Sequence, residues 1–387
     1  MSHDPDIEAW IDEARSADIL EIATQIGAQL KRAGGEWVGP CPRCNGTDRF
    51  AVNPNDQVFN CRGAVGGDVI KMVEHAGNPS ADTPFFEAVE IIVGRPAPRR
   101  DSQVREHDPE LARERREERK DQQIAREEAE QAKQERAADR AARIFNDSLP
   151  ILGTHADAYL RRRGIILGAD FCGDLRFAQG LEYRGYADSE ANSETSLGMF
   201  PCMVGAIRNL LTGEIIGLHR TYLDARDPIK LKPPGDQRQN KAKKSFGSVA
   251  GGGILLSPMR SAMAVGEGIE TCLSWYDLGY GPDDVGIVSA VSLGNLAGGA
   301  TGSLRHPSGR GTVPNGVPDM DKPGILLPDE VSEVILLGDG DSDWIATHAR
   351  LLTGGERFVR QDRTVSYHYA PAKTDWNDCL LDQKRAA

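Results

Sequence analysis

Val334-Ile335-Leu336-Leu337-Gly338-Asp339-Gly340-Asp341-Ser342-Asp343 is a short apolar run followed by alternating carboxylates. A run of this length that ends in glycine and aspartate is typical of a buried strand in an α/β sheet. Open α/β sheets bind their ligands at the carboxyl ends of such strands. Three carboxylates within five residues repel one another unless a cation lies between them, and Mg²⁺ prefers oxygen ligands of this kind. The alternative interpretation is a solvated acidic turn.

Another carboxylate follows an earlier strand. Residues 263–266 predict a strand that places Glu267 between two glycines, and a helix follows from Ile269 to Leu278. A strand at 286–290 precedes a loop at 293–296, and a last strand at 364–369 precedes Asp375. Strands that alternate with helices predict a parallel sheet with right-handed crossovers. Glu267, Asp339 and Asp341 should therefore lie on one edge of that sheet, where Asp375 could join them.

Length and composition bound the class of protein. The chain has 387 residues, of which 39% are hydrophobic and 27% charged, which is ordinary for a soluble protein of two or three domains. No apolar run approaches the roughly 20 residues that cross a bilayer. Residues 1–6 are acidic and lack the apolar core of a signal peptide. We therefore expect a cytoplasmic protein with no membrane partner.

The charge distribution singles out one segment. The net charge of -12 argues against a protein that coats nucleic acid nonspecifically. Between Arg220 and Lys244, however, eight basic residues outnumber three aspartates. The basic residues are Arg220, Arg226, Lys230, Lys232, Arg238, Lys241, Lys243 and Lys244. This local excess predicts a phosphate-binding face, and the alternative is a solvated irregular loop around Pro233-Pro234-Gly235.

The cysteines near the amino terminus have the layout of a zinc ribbon. Cys41 and Cys44 lie on one turn, and Cys61 ends a hairpin formed by residues 49–52 and 58–61. A ribbon would place its fourth ligand near Ala64, and the nearest histidine is His75, in the helix that Asp68 should cap. His75 could close the site only if that helix folds back. The alternatives are three-ligand zinc with a water molecule and a metal-free hairpin with buried thiols.

Other segments predict secondary structure with less bearing on chemistry. Asp18 should cap a helix that runs from Ile19 to about Lys31, and a further helix should run from Pro84 to Val93. Residues 99–143 are almost wholly charged residues, glutamine and alanine, which favours a long exposed helix or a fluctuating one. Residues 203–208 and 214–223 should form a hairpin.

Taken in order, these motifs resemble the Toprim-type DNA primases of bacteria, phages and plasmids. Gly266-Glu267-Gly268, the glycine-containing loop at 293–296 and Asp339-x-Asp341 are the marks of the Toprim domain. Gly217-Leu218-His219-Arg220 and the lysines that follow resemble the basic subdomain of these primases. Cys41-x-x-Cys44 with Cys61 and Gly66-Gly67-Asp68 resembles their zinc ribbon, and Lys373–Asp378 resembles the motif that ends their Toprim region. The resemblance covers residues 17–94 and 150–380.

The resemblance implies an α+β multidomain fold. Residues 1–98 would form a zinc-ribbon-like hairpin module with helices that binds template, and residues 99–148 a charged helical linker. Residues 149–257 would form a mixed α/β basic subdomain, and residues 258–387 a Toprim domain with a mainly parallel sheet. The implied activity is template-directed synthesis of RNA primers on single-stranded DNA.

The resemblance also implies roles for individual residues. Glu267, Asp339 and Asp341 would hold two Mg²⁺ or Mn²⁺ ions, with Asp343 or Asp375 in support. Template phosphates or the triphosphate of an NTP would be held by Arg220, Lys230, Lys232, Lys243 and Lys244. Zinc would be held by Cys41, Cys44 and Cys61, with His75 as a candidate fourth ligand. Since the sequence has no Gly-x-x-x-x-Gly-Lys-Ser/Thr motif, a separate replicative helicase is an expected partner.

Two other functions fit parts of the sequence. A Toprim-type nuclease or nickase would use the same carboxylates for strand scission, without needing the ribbon and basic subdomain in this order. A non-catalytic adaptor for single-stranded nucleic acid would have kept the fold and lost the activity.

Overall fold

The computed structural model describes residues 5–33, 35–62, 65–98, 109–168, 173–191, 193–281, 284–309 and 311–386. The chain divides into two compact units, residues 1–116 and 117–387. Each unit has sheets and a hydrophobic core of its own. The finer division predicted from the sequence, with boundaries at 98, 148 and 257, stays a prediction.

The first unit is an antiparallel sheet covered by helices. The sheet has the order β1-β2-β3-β4-β5. Trp10, Phe50, Phe59 and Met72 are buried between the sheet and the helices. The elements, in chain order, are α1 (Pro5–Arg15), α2 (Ile19–Gln25), β1 (Lys31–Ala33), β2 (Glu36–Cys41), β3 (Asn45–Asn53), β4 (Val58–Cys61), β5 (Val65–Gly67), α3 (Val69–Ala76) and α4 (Phe85–Val93).

Most of the elements predicted for this unit are confirmed. Asp68 caps α3 by accepting a hydrogen bond from the backbone N–H of Lys71, and Gly94 ends α4 with a left-handed φ of 75°. The helix predicted for residues 19–31 was wrong in length. It ends at Gln25, and Gly27 takes a φ of 87°, which a helix cannot accommodate. Residues 31–33 then pair with residues 36–38, so that a strand replaces the last predicted turns.

A long helix, α5 (Pro109–Asp147), occupies most of the segment predicted as a charged linker. Residues 99–108 of that segment lie outside the described part of the chain. The carboxyl-terminal end of α5 is not a free spacer. Ala141 and Phe145 are buried against Tyr183, Cys202 and Tyr222 of the second unit's first sheet. The helical prediction is confirmed, and the end of the helix is part of a core.

The first sheet of the second unit is antiparallel, with the order β10-β9-β8-β7-β6. The hairpin predicted for residues 203–223 is confirmed as β8 and β9. The irregular loop considered for the basic segment is wrong at its end, because residues 243–247 pair with residues 217–221 as a strand. The elements are β6 (Leu149–Pro150), α6 (His155–Arg162), β7 (Leu175–Gly185), β8 (Thr195–Arg208), β9 (Ile215–Tyr222) and β10 (Lys243–Gly247).

The second sheet has the order β11-β13-β12-β16-β17, and its last four strands in this order are parallel. The prediction of a mainly parallel sheet is confirmed, with β11 as an antiparallel edge. The elements are β11 (Ile254–Leu255), β12 (Ala262–Gly266), α7 (Ile269–Asp277), β13 (Val285–Ser289), α8 (Leu293–Ala297), β14 (Ser303–Arg305), β15 (Thr312–Pro314), β16 (Glu333–Gly338), α9 (Trp344–Val359), β17 (Thr364–Tyr369) and α10 (Trp376–Ala386). The loop predicted at 293–296 is the short helix α8, which Ser292 caps.

One core joins the two sheets of the second unit. Met203 of the antiparallel sheet, Ile254 and Ile335 of the parallel sheet, and Trp275 of α7 belong to the same buried cluster. This shared core fixes the carboxyl ends of β12 and β16 relative to β9 and β10. Among the described residues, no helix combines the length and the apolar character needed to span a membrane.

Candidate functional site

The first unit gathers three cysteines and one histidine. The β2–β3 turn carries Cys41 and Cys44, β4 ends at Cys61, and α3 brings His75 onto them. The four ligand atoms all lie within 4.8 Å of one another. His75 Nε2 lies 3.6 Å from Cys41 Sγ and 3.5 Å from Cys44 Sγ. The helix that carries His75 therefore does fold back onto the cysteines, as a fourth ligand requires.

These distances fit a tetrahedral zinc ion. Zn–S bonds of about 2.3 Å and Zn–N bonds of about 2.0 Å place a sulfur and a nitrogen ligand roughly 3.6 Å apart. Burial, followed by the neighbouring Cys41 and Cys44, raises the pKa of Cys61 to about 12. Burial, followed by Arg43, lowers the pKa of His75, which keeps the imidazole neutral for a metal. The prediction of Zn²⁺ is supported. His75 supplies the fourth ligand that a ribbon would place near Ala64. Ala64 itself lies outside the described residues.

The second unit contains a cavity of about 220 Å³ at the carboxyl edge of the parallel sheet. The end of β12 and the start of α7 form one side of it, and β9 and β10 contribute side chains to the other. Its charged and polar lining comprises Arg163, His219, Lys230, Lys243, Glu267, Glu270, Thr271, Ser289, Asp339 and Asp375. Acidic and basic groups therefore share one half-open cavity.

Glu267, Asp339 and Asp375 are the acidic members of the lining that the sequence predicted. Asp339 Oδ2 accepts a hydrogen bond from Thr271 Oγ1 at 3.0 Å, while Asp339 Oδ1 is buried without a partner among the described residues. Burial raises the pKa of Asp339 to about 6, and Asp375, Asp341 and Glu267 add to the effect against the opposing Thr271 hydrogen bond. Burial also raises the pKa of Glu267. A cation beside Glu267 and Asp339 would stabilise their charged forms.

The other predicted carboxylates differ in position. Asp341 is exposed beside the cavity, and its charge contributes to the raised pKa values of Glu267 and Asp339. Asp343 is outside the lining: it caps α9 by accepting from the backbone N–H of Ala346, and Oδ1 also lies 3.2 Å from His306 Nε2. Of the two residues predicted in support, Asp375 is thus the one that the fold brings to the cavity.

The basic side of the cavity is organised around Glu270, which the sequence analysis missed. Lys243 Nζ lies 2.8 Å from Glu270 Oε2, and Lys230 Nζ lies 3.4 Å from Oε1. Tyr159 donates its hydroxyl to Oε1 at 2.7 Å. Burial opposes the charge on Glu270, yet the two lysines hold its pKa well below the ordinary range. Two ammonium groups against one carboxylate leave this side with a net positive charge.

Two further side chains of the lining each have one buried nitrogen without a hydrogen-bond partner. His219 Nδ1 and Arg163 Nε are buried and make no hydrogen bond among the described residues. Burial lowers the pKa of His219 to about 4, and Lys243 acts in the same direction. Buried polar atoms are nearly always paired in native proteins, so water or a bound group is expected to complete these two nitrogens.

Three of the predicted basic residues lie outside the lining. Lys244 Nζ lies 2.7 Å from Glu194 Oε1 and over the Tyr183 ring. Arg220 donates to the hydroxyl of Tyr222 and to the carbonyl of Ser245. Lys232 is exposed. Lys230 and Lys243 are therefore the predicted basic residues that the fold brings to the carboxylates.

The missed residues left only faint signals in the sequence. Glu270 follows Glu267 by three residues at the start of a helix, a spacing that could have marked it. His219 lies within the Gly217–Arg220 motif, where it was noted without a role. Tyr159 lies 111 residues before Glu270, and Arg163 lies still farther from Asp375, so no local pattern connects them with these carboxylates.

Comparison with known families supports the zinc assignment. Residues 7–103 match the model of the CHC2 zinc finger, the DnaG-type zinc ribbon. This match confirms the resemblance to DnaG-type primases that the cysteine motif predicted. Residues 135–256 match a domain of unknown function, DUF7146. No curated protein matches the chain.

Three solved structures similar to this chain are primase domains. The zinc-binding and RNA polymerase domains of the Aquifex aeolicus primase align at 18% identity over 97% of this chain and 84% of that one, with a TM-score of 0.31. A DNA primase domain from Pseudomonas aeruginosa aligns at 14% identity over 64% and 76%, with a TM-score of 0.33. A DnaG primase catalytic domain bound to single-stranded DNA aligns at 12% identity over 65% and 79%, with a TM-score of 0.36.

Proposed function

We propose that this chain, whose amino-terminal module is a DnaG-type zinc ribbon, is a DNA primase that synthesises short RNA primers on single-stranded DNA. One observation carries the proposal. A single cavity at the carboxyl edge of a parallel sheet has Glu267, Asp339 and Asp375 on one side and Lys230 and Lys243 on the other. A nucleoside triphosphate with divalent cations needs both an acidic and a basic wall in its binding cavity. Its phosphates bind the cationic side chains, and its metal ions bind the carboxylates.

The acidic wall fits Mg²⁺ or Mn²⁺. Asp339 Oδ1 is buried with no partner, and a carboxylate whose pKa is raised by burial and by like charges gains most from a cation. Glu267 and Asp339 would hold the ions, with Asp341 and Asp375 in support. Two such ions, when bound, align an attacking 3′-hydroxyl with the α-phosphate and neutralise the developing charge. Hard oxygen ligands in this number are what these cations prefer.

The chain's own residues account for the rest of the chemistry. Lys230 and Lys243 would bind the triphosphate, and Glu270 keeps both ammonium groups in place before the nucleotide arrives. Thr271 orients Asp339 by donating to its Oδ2. Lys230 and Lys243 remain 38% and 35% exposed, so a nucleotide that enters from solvent can reach both ammonium groups.

The zinc ribbon would grip the single-stranded template, and the NTPs would enter the cavity. A separate replicative helicase would open the duplex, since the sequence has no P-loop motif of its own. Primer yield on a long template should rise when the cognate helicase is added. Unchanged yield over a range of helicase concentrations would remove this partner from the proposal.

Primer synthesis on a defined single-stranded template tests the proposal. The reaction contains labelled NTPs and Mg²⁺ or Mn²⁺, and compares the wild type with Asp339→Ala/Asp341→Ala. A matched control is Asp382→Ala, which removes an exposed carboxylate paired only with Arg385. Oligoribonucleotides made by the wild type and the control, but not by the double variant, support a primase.

The same assay separates the alternatives. A template shortened by the wild type, with no RNA product, supports a Toprim-type nuclease that uses the same carboxylates. Template binding with neither product supports an adaptor. The basic wall opposite the carboxylates favours synthesis from a triphosphate over simple scission.

A further inference from the structure

His219 is placed in the cavity by the register of two strands. Along β9, residues 218, 220 and 222 face α5, where Leu218 and Tyr222 are buried with Phe145. Residues 219 and 221 therefore face the other way. Thr221 pairs with Lys243 and His219 pairs with Ser245, so that His219 and Lys243 share one face of the sheet. Both side chains line the cavity that contains Glu267 and Asp339.

One ring nitrogen of His219 has no hydrogen-bond partner. Nδ1 is buried and makes no hydrogen bond among the described residues. Two other residues of the lining carry such an atom, Arg163 at Nε and Asp339 at Oδ1. Native proteins pair nearly all buried polar atoms with protein groups, water or a bound ligand. A ligand that completed this set would offer anionic oxygens to the donors and a cation to the carboxylate.

The charges around His219 decide what it can offer. Lys243, Glu270, Arg220 and Lys230 act on the ring, and burial together with the cations keeps the imidazole neutral at neutral pH. A neutral imidazole carries one N–H donor and one acceptor nitrogen. Beside two ammonium groups that attract anions, the N–H is the complement of a phosphate oxygen.

We propose that His219 contacts the nucleotide directly, donating a hydrogen bond from a ring nitrogen to an oxygen of the triphosphate held by Lys230 and Lys243. This inference rests on the proposed function, and it assigns a polyphosphate-binding role to a side chain that the carboxylate motif does not include. The hydrogen bond from His219 would orient the phosphates, whereas the lysines supply positive charge.

The test is equilibrium binding of an α,β-methylene NTP analogue to the full chain in the presence of Mg²⁺. His219→Phe keeps the ring and removes both nitrogens. His219→Asn places an amide nitrogen near the position of Nδ1, and His219→Gln places one near Nε2. The matched control is His368→Phe, since His368 Nδ1 already accepts a hydrogen bond from Trp275 and lies outside the lining. Circular dichroism and thermal unfolding establish that each variant is folded.

We expect His219→Phe to weaken binding of the analogue about ten-fold or more, the loss of one hydrogen bond to a charged group. Either the Asn or the Gln variant should bind within about three-fold of the wild type, and the one that does identifies the donor nitrogen. His368→Phe should bind like the wild type.

Wild-type affinity in His219→Phe would overturn the inference, as would a loss that neither amide restores, since the ring would then act only through packing. Failure of the wild type to bind the analogue would also overturn it. Binding by the wild type without primer synthesis would count against the primase proposal and leave the role of His219 intact.

Discussion

Lys243 and Lys244 are neighbours in the chain, yet their ammonium groups lie on opposite faces of one sheet. Lys243 Nζ lies 2.8 Å from Glu270 Oε2 in the cavity, and Lys244 Nζ lies 2.7 Å from Glu194 Oε1 on the other face. The register of β10 against β9 produces this separation. Two residues of equal charge and nearly equal sequence context therefore have different expected roles.

Replacing each lysine by alanine tests this difference. Lys243→Ala should lower kcat/KM for primer synthesis about ten-fold or more, because it removes a charge-assisted contact to phosphate in the cavity. Lys244→Ala should lower it by less than about three-fold, since its partner is a surface carboxylate. Steady-state kinetics at fixed salt measure both values. Equal losses in the two variants would contradict the assignment of the phosphate-binding wall.

The carboxylates that pair with these lysines should differ in their contribution to stability. Glu270 is buried between two lysines and Tyr159, whereas Glu194 is 43% exposed. Glu270→Ala removes the partner of two ammonium groups that are each more than a third exposed, and should lower the free energy of unfolding by about 1.5–3 kcal/mol. Glu194→Ala should lower it by less than about 1 kcal/mol. Urea unfolding at neutral pH compares the two.

The stabilisation from Glu270 should depend on pH in one direction. Because the folded protein holds the pKa of Glu270 below its ordinary value, the contribution is complete above the ordinary carboxyl range. It is lost as the pH falls through the depressed pKa. The difference between wild type and Glu270→Ala should therefore shrink in acid, and a difference that grew in acid would contradict the ion pairing.

Local patterns predicted the parallel sheet and the meeting of Glu267 with Asp339. Strand β16 has four apolar residues and ends at Gly338, and Asp339 follows it directly. Parallel strands bring their carboxyl ends to one edge of the sheet, whatever the conformation of the connecting loops. His75 was within reach of prediction for a similar reason, because Asp68 marks the start of its helix.

Contacts between distant segments could not be predicted in this way. The segment Lys243-Lys244-Ser245-Phe246-Gly247 has little strand propensity, and pairing with β9 rather than its own sequence makes it a strand. Which lysine faces the cavity depends on that register, since a shift of one residue would exchange the two faces. Glu270 contacts Lys243, 27 residues away in the sequence, and Tyr159, 111 residues away. Contacts at such separations produce no periodic pattern in the sequence.

Zinc removal should unfold the first unit selectively. His75→Ala should lower the zinc content from about one ion per chain and lower the melting temperature of the first unit, because structural zinc contributes directly to folding. Cys272→Ala is the matched control, since it removes a buried thiol from the second unit. Zinc is measured by a chromogenic chelator after denaturation. Full zinc retention in His75→Ala would mean that the three cysteines suffice.

Asp339 should destabilise the metal-free protein at neutral pH. Its pKa rises from 3.8 to about 6 on folding, so that the folded state binds the proton more tightly than the unfolded state. Stability should then fall as the pH rises between these values, by about 2–3 kcal/mol in total. Asp339→Asn removes this penalty, and should be more stable than the wild type at pH 8 with a chelator present. At pH 4 the advantage should be nearly gone.

Divalent cations should reverse the order of the two proteins. Mg²⁺ at millimolar concentration should raise the melting temperature of the wild type by binding the folded state, and should have little effect on Asp339→Asn. Asp382→Asn, at an exposed carboxylate, should behave like the wild type under every condition. Thermal unfolding with chelator and with Mg²⁺ at pH 4, 6 and 8 measures all three. An Asn variant that is less stable than the wild type under every condition would show that the charge on Asp339 does not destabilise the metal-free protein.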